Sequence, residues 1–191
     1  MKKLDAQVFV MPGNDDEYFV DEELAKSEYI INPNEKATAI MDQFEMLSLG
    51  YANITPWKCA RDIEEEELYK KIENLVNKIS NFETAIFNVH VPPYGTSLDE
   101  APELDENLKP KLGPSGRVMT KSVGSTSVRT AIEKYQPLLS LHGHVHESKG
   151  FIKIGRTLCL NLGSEYTEGI LRGVLIQFDK NKIKDFLFTS G

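Results

Sequence analysis

The stretch that decides the fold is "PLLSLHGHVH", residues 137–146, in which three histidines at alternate positions follow an apolar run. The apolar run predicts a buried strand, and the glycine at position 143 ends it. The chain has four histidines, and all of them follow a predicted strand: His90, His142, His144 and His146. Because neutral imidazole is the commonest metal ligand, this grouping predicts a metal site rather than isolated structural histidines.

Two other stretches have the same pattern, "AQVFVMPGND" (6–15) and "TAIFNVHVPP" (84–93). Each predicts a buried strand that gives way to polar residues at a Gly or Pro. In an open α/β sheet the carboxyl ends of the strands converge on one edge, where ligands bind. We therefore expect Asn14 to join the histidines there. An amide oxygen together with imidazole nitrogens suits Mn, Fe, Ni, Co or Zn. A structural zinc site is not expected, because such sites usually include cysteine thiolates.

The segments between these strands predict the rest of an α/β fold. Apolar residues at helical spacing predict a helix over residues 60–80. A second helix is predicted over Val128 to Tyr135, with Ser125 or Ser127 as its N-cap and Pro137 as its end. Residues 92–127 are rich in Pro, Gly and Ser and predict a long loop that could form a lid. The chain after residue 150 alternates short apolar runs with turns, which predicts antiparallel strands.

Composition limits the class of protein. The 191 residues are 40% hydrophobic, which predicts a single domain over residues 1–191. With 29 acidic against 22 basic residues, a nucleic-acid partner is not expected. No apolar run approaches the roughly 20 residues that span a bilayer, and the N-terminus does not have the pattern of a signal peptide, so we expect no membrane partner and a cytoplasmic location. Cys59 and Cys159 have no spacing motif and are interpreted as reduced core residues.

Three motifs in order carry a resemblance to a known family. "GNDD" (13–16), "NVH" (88–90) and "GHVH" (143–146) resemble the last three motifs of the calcineurin-like metallophosphoesterases, and further stretches resemble the archaeal and bacterial phosphoesterase branch. The resemblance covers nearly the whole chain. It implies an α/β fold with a β-sandwich flanked by helices. It also implies a hydrolase that uses two divalent metal ions and a metal-bound hydroxide to cleave phosphodiester or phosphomonoester bonds of a small substrate.

The resemblance assigns a role to individual residues. Asn14, His90 and His144 would bind the second metal, and His146 would bind the first. His142 lies outside the motif and would either support a ligand or serve the structure. Arg117 and Lys121 in the long loop and Arg129 near the helix N-terminus are candidates for binding the substrate phosphate, although Arg129, Ser125 and Ser127 could instead only cap that helix. Asp15 replaces a family histidine that assists the leaving group, and an ionised carboxylate cannot donate a proton.

The chain also departs from the family pattern at its start. The D-x-H and G-D-x motifs that supply the remaining metal ligands are absent, so we expect that the N-terminal β-α-β segment is missing. The chain would then hold a three-ligand half-site, either as a fragment of a longer protein or with another chain supplying the rest. Exposed strand edges would favour self-association by strand pairing or exchange. The alternatives are a non-catalytic metal-binding scaffold or interaction protein of the same fold, and a purely structural histidine cluster.

Overall fold

A computed structural model describes residues 6–41 and 43–191. Its helices are α1 (Phe19–Ala25), α2 (Glu65–Val76) and α3 (Thr126–Tyr135), with a short 3-10 helix at Tyr166–Glu168. The strands in chain order are β1 (Lys36–Ile40), β2 (Phe44–Leu49), β3 (Ala52–Asn53), β4 (Asp62–Ile63), β5 (Ala85–Val89), β6 (Glu100–Pro102), β7 (Thr120–Ser122), β8 (Leu139–His142), β9 (Gly150–Ile154), β10 (Thr157–Asn161), β11 (Arg172–Asp179) and β12 (Lys182–Ser190).

A mixed six-stranded sheet with the order β1-β2-β5-β8-β10-β9 forms the centre of the described chain. The four inner strands are parallel, and the edge strands β1 and β9 pair antiparallel to their neighbours. The pairs β11-β12, β3-β4 and β6-β7 form separate two-stranded sheets. The predicted α/β class is confirmed, and the parallel inner strands all direct their carboxyl ends to one edge.

Two apolar clusters cover the two faces of this sheet. On one face, α2 and α3 bury Leu68, Ile72, Val128 and Ile132 against β2 and β5. On the other face, the β11-β12 hairpin packs its inward side chains onto Phe44, Leu139, Leu158 and other sheet residues. The helices thus cover one face and a two-stranded hairpin covers the other, which gives three layers.

The predicted strand over residues 6–15 is not formed. Phe9 makes an isolated bridge to Ile31, flanked by Val8 and Val10, which are 47% and 36% exposed. A strand in a central sheet needs partners along its length, and here the backbone pairs with Ile31 alone through hydrogen bonds of 2.8 and 3.0 Å. Apolar alternation predicted burial, but the described chain places this segment beside the sheet rather than within it.

Both predicted helices are confirmed, with changed boundaries. The helix predicted over residues 60–80 is α2, which begins only at Glu65, because Asp62 and Ile63 pair with β3, and ends at Val76. The helix predicted from Val128 begins at Thr126. Ser125 is the N-cap of α3, where its hydroxyl accepts a hydrogen bond from the Val128 N–H at 3.1 Å. The antiparallel strands predicted after residue 150 are confirmed by β9 to β12. In the described residues, no helix combines the length and hydrophobicity needed to cross a bilayer.

The segment 92–127, predicted to be a loop, is a folded arm. Its ends pair as β6 and β7, and isolated bridges continue the pairing at Leu104 with Pro110 and at Leu112 with Val118. Backbone hydrogen bonds of 2.7–2.9 Å link Glu103, Lys111 and Met119 across this arm. The paired stretches are short and interrupted by turns, so they lack the regular apolar alternation on which a strand prediction rests.

Candidate metal site and the adjoining cleft

The carboxyl ends of neighbouring parallel strands place the first two predicted ligands. His90 follows β5 directly, and its backbone N–H donates to the Leu49 carbonyl at the end of β2 at 2.9 Å. The His90 carbonyl in turn accepts a hydrogen bond of 2.9 Å from Gly143, which begins the turn after β8. This ladder fixes the position of the 143–146 turn relative to His90.

The "GNDD" turn brings Asn14 to the same edge. Two glycines make this approach possible, because a Cβ atom at Gly13 would lie 2.8 Å from the His90 ring, and one at Gly50 would lie 2.2 Å from the Pro12 carbonyl oxygen. Side chains larger than hydrogen at either position would push the turn away from the strand ends. Within the turn, the Gly13 N–H donates to the Asp16 carboxylate at 2.7 Å.

A buried arginine, not predicted from the sequence, holds this turn in place. Arg61 is 1% exposed, and its guanidinium donates to the carbonyls of Asp16 and Glu17 at 2.8 and 3.1 Å. The same guanidinium donates to the Asp21 carboxylate at 2.7 Å, and the Arg61 backbone N–H donates to the Asn14 carbonyl at 3.0 Å. These hydrogen bonds satisfy the buried charge and anchor the loop that carries Asn14.

The side chains of Asn14, His90 and His144 converge on one point. The Asn14 Oδ1 atom lies 3.1 Å from His90 Nε2 and 3.0 Å from His144 Nδ1. Adjacent ligand atoms of an octahedral ion with bonds of about 2.1 Å are about 3.0 Å apart, so each of these two spacings fits a pair of adjacent ligands in such a coordination sphere. Because an amide oxygen only accepts hydrogen bonds, each of these two ring nitrogens donates an N–H to Asn14 Oδ1.

The backbone of His144 adopts a conformation that side chains other than glycine seldom take. Its φ is 63°, in the left-handed region. A non-glycine residue held there costs on the order of 1 kcal/mol, and such residues cluster at functional sites. The left-handed turn is what aims the His144 ring at Asn14 rather than along the strand.

Both histidines at this point are neutral at pH 7. Burial, followed by the nearby charges of His144 and His146, lowers the pKa of His90 to about 3. Burial is also the main reason why the pKa of His144 is lowered, although the Asp62 carboxylate acts in the opposite direction. Neutral imidazole is the form that binds a metal, so at neutral pH the rings can bind one without a net loss of protons, provided that the N–H moves to the other ring nitrogen.

A carboxylate that the sequence analysis missed orients the Asn14 amide. Asp62 Oδ1 accepts a hydrogen bond of 2.8 Å from Asn14 Nδ2, which directs the amide oxygen towards the histidines. Asp62 Oδ2 accepts hydrogen bonds from the Thr55 N–H, the Thr55 hydroxyl and the Cys59 N–H at 3.0, 2.5 and 3.0 Å. Asp62 therefore joins the "GNDD" turn to the 53–59 loop. The sequence pattern had placed it inside a helix, where no such role could be read.

His142 serves the structure of the sheet. Its Nδ1 atom lies 2.9 and 3.0 Å from the carbonyls of Val89 and Val91, and its Nε2 atom lies 2.9 Å from the Ser140 hydroxyl. Burial lowers its pKa to about 4, despite the two carbonyl hydrogen bonds, so the ring is neutral. His142 thus fixes the chain on either side of His90 without pointing at Asn14.

The remaining predicted site residues lie around this point rather than in it. His146 is exposed and packs edge-on against Tyr166, with ring centroids 5.7 Å apart. Asp15 is exposed on the "GNDD" turn, and it adds to the burial that raises the pKa of the Cys59 thiol. Arg117 is exposed at the tip of the folded arm, where its carbonyl accepts a hydrogen bond from Gly113 at 2.8 Å. The structure does not bring Arg117 to the histidines.

The N-terminus of α3 binds a carboxylate from the chain itself. The Glu65 carboxylate accepts hydrogen bonds from the Ser125 hydroxyl at 2.7 Å and from the N–H groups of Thr126 and Ser127 at 2.9 Å each. Burial would raise the pKa of Glu65, but these hydrogen bonds outweigh it and hold the pKa below its usual value. Arg129, on the same helix, donates to Glu133 at 2.8 Å and to the carbonyls of Tyr94 and Gly95 at 2.9 and 3.1 Å.

A cleft of about 650 Å³ adjoins the site, and His144 is among its lining residues. One wall is the loop that carries Ile54, Pro56 and Trp57, and the other is formed by the folded arm with Tyr94, Leu104 and Leu108. The Trp57 side chain is 63% exposed and that of Ile54 is 50% exposed. The cleft therefore has a largely apolar lining next to the convergence point of Asn14, His90 and His144.

Across residues 6–41 and 43–191, no three His, Cys, Asp or Glu side chains are grouped so that they could hold a metal ion. Asn14, His90 and His144 are not such a group, because the third residue is an asparagine, which contributes an amide oxygen. The donor types are nonetheless those that borderline divalent metals accept.

Comparison with known proteins gives a relative and a fold, but no function. The uncharacterized protein MJ1162 of Methanocaldococcus jannaschii is 32% identical to this chain over 158 residues, which is 81% of the chain and 63% of MJ1162. The chain thus spans less than two thirds of the length of this relative. No family model matches the sequence.

Two crystal structures share the fold at low sequence identity. The first has a TM-score of 0.63 at 20% identity, and the match covers 98% of this chain and 66% of the chain in that crystal structure. The crystal structure of TT1561 of Thermus thermophilus has a TM-score of 0.55 at 18% identity, and the match covers 97% of this chain and 72% of TT1561. At these identities the likeness describes the fold alone.

Proposed function

We propose that this chain belongs to a metal-dependent phosphoesterase of calcineurin-like fold that hydrolyses phosphodiester or phosphomonoester bonds of a small substrate. The observation that carries the proposal is that His90 Nε2 and His144 Nδ1 lie 3.1 and 3.0 Å from Asn14 Oδ1 at the carboxyl ends of parallel strands. These residues come from the three motifs on which the family resemblance rests, and they are far apart in sequence.

The residues present fit a divalent cation such as Mn, Fe, Ni, Co or Zn. Asn14, His90 and His144 would hold one metal, and His146, on the same turn as His144, would bind the other. Divalent metals in such sites polarise phosphate oxygens and activate water. The chain itself contributes neutral imidazoles, a fixed amide oxygen and an apolar cleft beside them.

A second candidate is a non-catalytic metal-binding scaffold or interaction protein of the same fold. The position of His146 favours it, because this side chain is exposed and packs on Tyr166. In the described part of the chain, no group of three His, Cys, Asp or Glu side chains could complete a second metal site. A single bound metal without hydrolysis would be the expected behaviour of such a protein.

Native mass spectrometry with and without Mn²⁺, combined with hydrolysis of bis(p-nitrophenyl) phosphate, separates these candidates. The phosphoesterase proposal expects Mn²⁺ to bind and to support hydrolysis, and expects Asn14→Ala to lose both. Asn107→Ala, which alters an amide in the folded arm, serves as the control and should bind Mn²⁺ as the wild type does.

The number of ions decides the interpretation. Two Mn²⁺ ions per chain with hydrolysis would mean that the remaining ligands are supplied, and one ion without hydrolysis would favour the scaffold. A chain that binds no Mn²⁺ and keeps its full thermal stability in chelator would overturn both candidates and leave a structural histidine cluster.

Asp15 predicts a dependence on the leaving group. A carboxylate at this position cannot donate a proton, so esters with acidic leaving groups should be hydrolysed much faster than alkyl esters. We expect Asp15→His to raise the rate on alkyl esters by up to about 100-fold, the scale of general acid catalysis, and to change the rate on p-nitrophenyl esters little. Equal effects on both classes of ester would show that Asp15 has no part in leaving-group departure.

A further inference from the structure

The 650 Å³ cleft beside His144 has a composition that selects a particular kind of ligand. Its walls carry Ile54, Pro56 and Trp57 on one side and Tyr94, Leu104 and Leu108 on the other. Trp57, Ile54, Leu108 and Tyr94 are 63%, 50%, 45% and 44% exposed, although large apolar side chains are usually buried. A concave surface lined by exposed aromatic and aliphatic side chains next to a few polar groups is typical of a ligand site.

Within the described part of the chain, the cleft does not offer a cluster of cations for a second anionic group on the ligand. Among the lining residues that the structure describes, Lys121 is the only lysine or arginine, and the lining also includes Glu65 and Asp105. Both carboxylates are already used, because Glu65 caps α3 and Asp105 accepts hydrogen bonds from the N–H groups of Asn107 and Lys109 at 2.8 and 2.9 Å. Binding of a polyphosphate would require clustered cations, so the part of a ligand that lies here is uncharged.

The Trp57 wall is held in fixed relation to the metal ligands. Asp62 accepts the hydrogen bonds of Thr55 with one oxygen and that of Asn14 with the other. On the far side, the Asn53 amide donates to the Val123 carbonyl at 3.3 Å, which ties the loop to the folded arm. One ligand could therefore bind with one group at the Asn14–His90–His144 point and with a ring against Trp57.

We infer that this cleft binds an aromatic ring carried on the alcohol part of the phosphate ester. This inference rests on the proposed function for the identity of the anchored group, but the ring-binding property belongs to the cleft itself. Stacking of a flat ring on an aromatic side chain contributes roughly 1–3 kcal/mol, and the apolar walls add the burial of the ring edges.

The chain contains one tryptophan, so the fluorescence of Trp57 reports on the cleft directly. The experiment titrates the protein, at constant Mn²⁺ concentration, with phenylphosphonate, adenosine 5′-phosphate and methylphosphonate. Phenylphosphonate should bind at least about 10-fold more tightly than methylphosphonate, the factor that corresponds to about 1.4 kcal/mol. It should also change the Trp57 emission, whereas methylphosphonate should not.

Isothermal titration calorimetry of variants tests the role of Trp57. Trp57→Ala should bring the affinity ratio of phenylphosphonate to methylphosphonate close to one, and Trp57→Phe should restore most of it. Tyr29→Ala, at a tyrosine that is 77% exposed and does not line the cleft, is the control and should keep the ratio. If adenosine 5′-phosphate depends on Trp57 as phenylphosphonate does, the ring is a nucleobase, and if only phenylphosphonate does, it is a smaller aryl group.

The two proposals fail in different ways. Equal affinities for phenylphosphonate and methylphosphonate in the wild type, or a ratio unchanged in Trp57→Ala, would overturn the aromatic cleft even if Mn²⁺-dependent hydrolysis is observed. Ring-dependent binding without any hydrolysis would support the cleft and count against the phosphoesterase.

Discussion

At the scale of single residues, Asp62 determines how Asn14 is presented. Asp62→Asn would place an amide NH2 against either the Asn14 amide or the N–H groups of Thr55 and Cys59, so donors would face donors. Carboxylates that orient metal ligands typically change metal affinity by about 10–100-fold when replaced. We expect a fall of this size in Mn²⁺ affinity, measured by calorimetry, together with a loss of about 1–3 kcal/mol in stability.

Asp99 offers a matched control for this variant. It is fully buried and accepts hydrogen bonds from the N–H groups of Gly95, Thr96 and Gly124 at 2.8–3.0 Å, but it does not contact Asn14. Asp99→Asn should lose comparable stability and keep the Mn²⁺ affinity of the wild type. If both variants bind Mn²⁺ equally, Asp62 is a structural carboxylate and does not position the ligand.

The same scale shows what the sequence could predict of the site. The sequence predicted that His90 and His144 lie close together because the carboxyl ends of parallel strands share an edge. Asn14 reaches the same edge, although the strand predicted to precede it is not formed. Asp62 and Arg61 were missed because they act through tertiary hydrogen bonds to the "GNDD" turn, 45 to 48 residues away in sequence. Nothing in the local pattern around them indicates those partners.

At the scale of elements, one carboxylate joins the two helices. Glu65 is the first residue of α2 and caps the N-terminus of α3, where the helix dipole favours a negative charge. Because its pKa in the folded chain lies below the ordinary value of 4.5, its contribution is complete above about pH 4.5 and is lost as the pH falls through the folded pKa. Glu65→Gln should therefore cost about 1–3 kcal/mol at pH 7.

Denaturant unfolding as a function of pH measures this effect. The stability difference between wild type and Glu65→Gln should shrink as the pH is lowered below 4.5. Glu66→Gln is the control, because Glu66 forms an exposed ion pair with Lys70 that solvent screens, so this variant should change the stability little at any pH. A pH-independent difference for Glu65→Gln would mean that its charge is not what stabilises the helix pair.

The boundaries of these elements also show where local prediction stops. The apolar periodicity located α2, but Ile63 lies outside this helix because it pairs with Asn53 as part of β4. The end of α3 was predicted from Pro137, and the helix stops before it with Gln136 in the left-handed region, at φ 50°. Capping and proline are local in sequence and can be read, whereas strand pairing depends on a partner elsewhere in the chain.

At the scale of the whole molecule, the α/β class followed from the alternation of strands and helices, but the arrangement of layers did not. We predicted a β-sandwich flanked by helices. In the described chain the six-stranded sheet is faced by only the two-stranded β11-β12 hairpin. The hairpin side chains that face the sheet, among them Val174, Ile176 and Phe188, are only partly buried. Periodicity shows which face of a strand is apolar, but not how much surface will cover it.

The outer face of the β11-β12 hairpin carries exposed leucines, and we therefore predict self-association through this face. On the outer face of the hairpin, Leu175 and Leu187 are direct cross-strand partners and are 66% and 64% exposed. Leu171, which precedes β11, is 76% exposed. Adjacent exposed leucines form a patch that a second copy of the chain could cover, since burial of apolar surface contributes about 25 cal/mol per Å². We expect the wild-type chain to form dimers or larger species at micromolar concentration in sedimentation velocity experiments.

The variant Leu187→Lys tests whether this face is responsible, because it places a charge at the centre of the patch and should shift the chain towards monomer. Leu112→Lys makes the same change at a leucine that is 64% exposed on the folded arm, and it should leave the distribution unchanged. A wild-type chain that sediments as a monomer would contradict self-association altogether. Association that survives Leu187→Lys would instead assign the contact to another surface, such as the edge strands β1 and β9, whose outer backbone groups lack a neighbouring strand in the six-stranded sheet of the described chain.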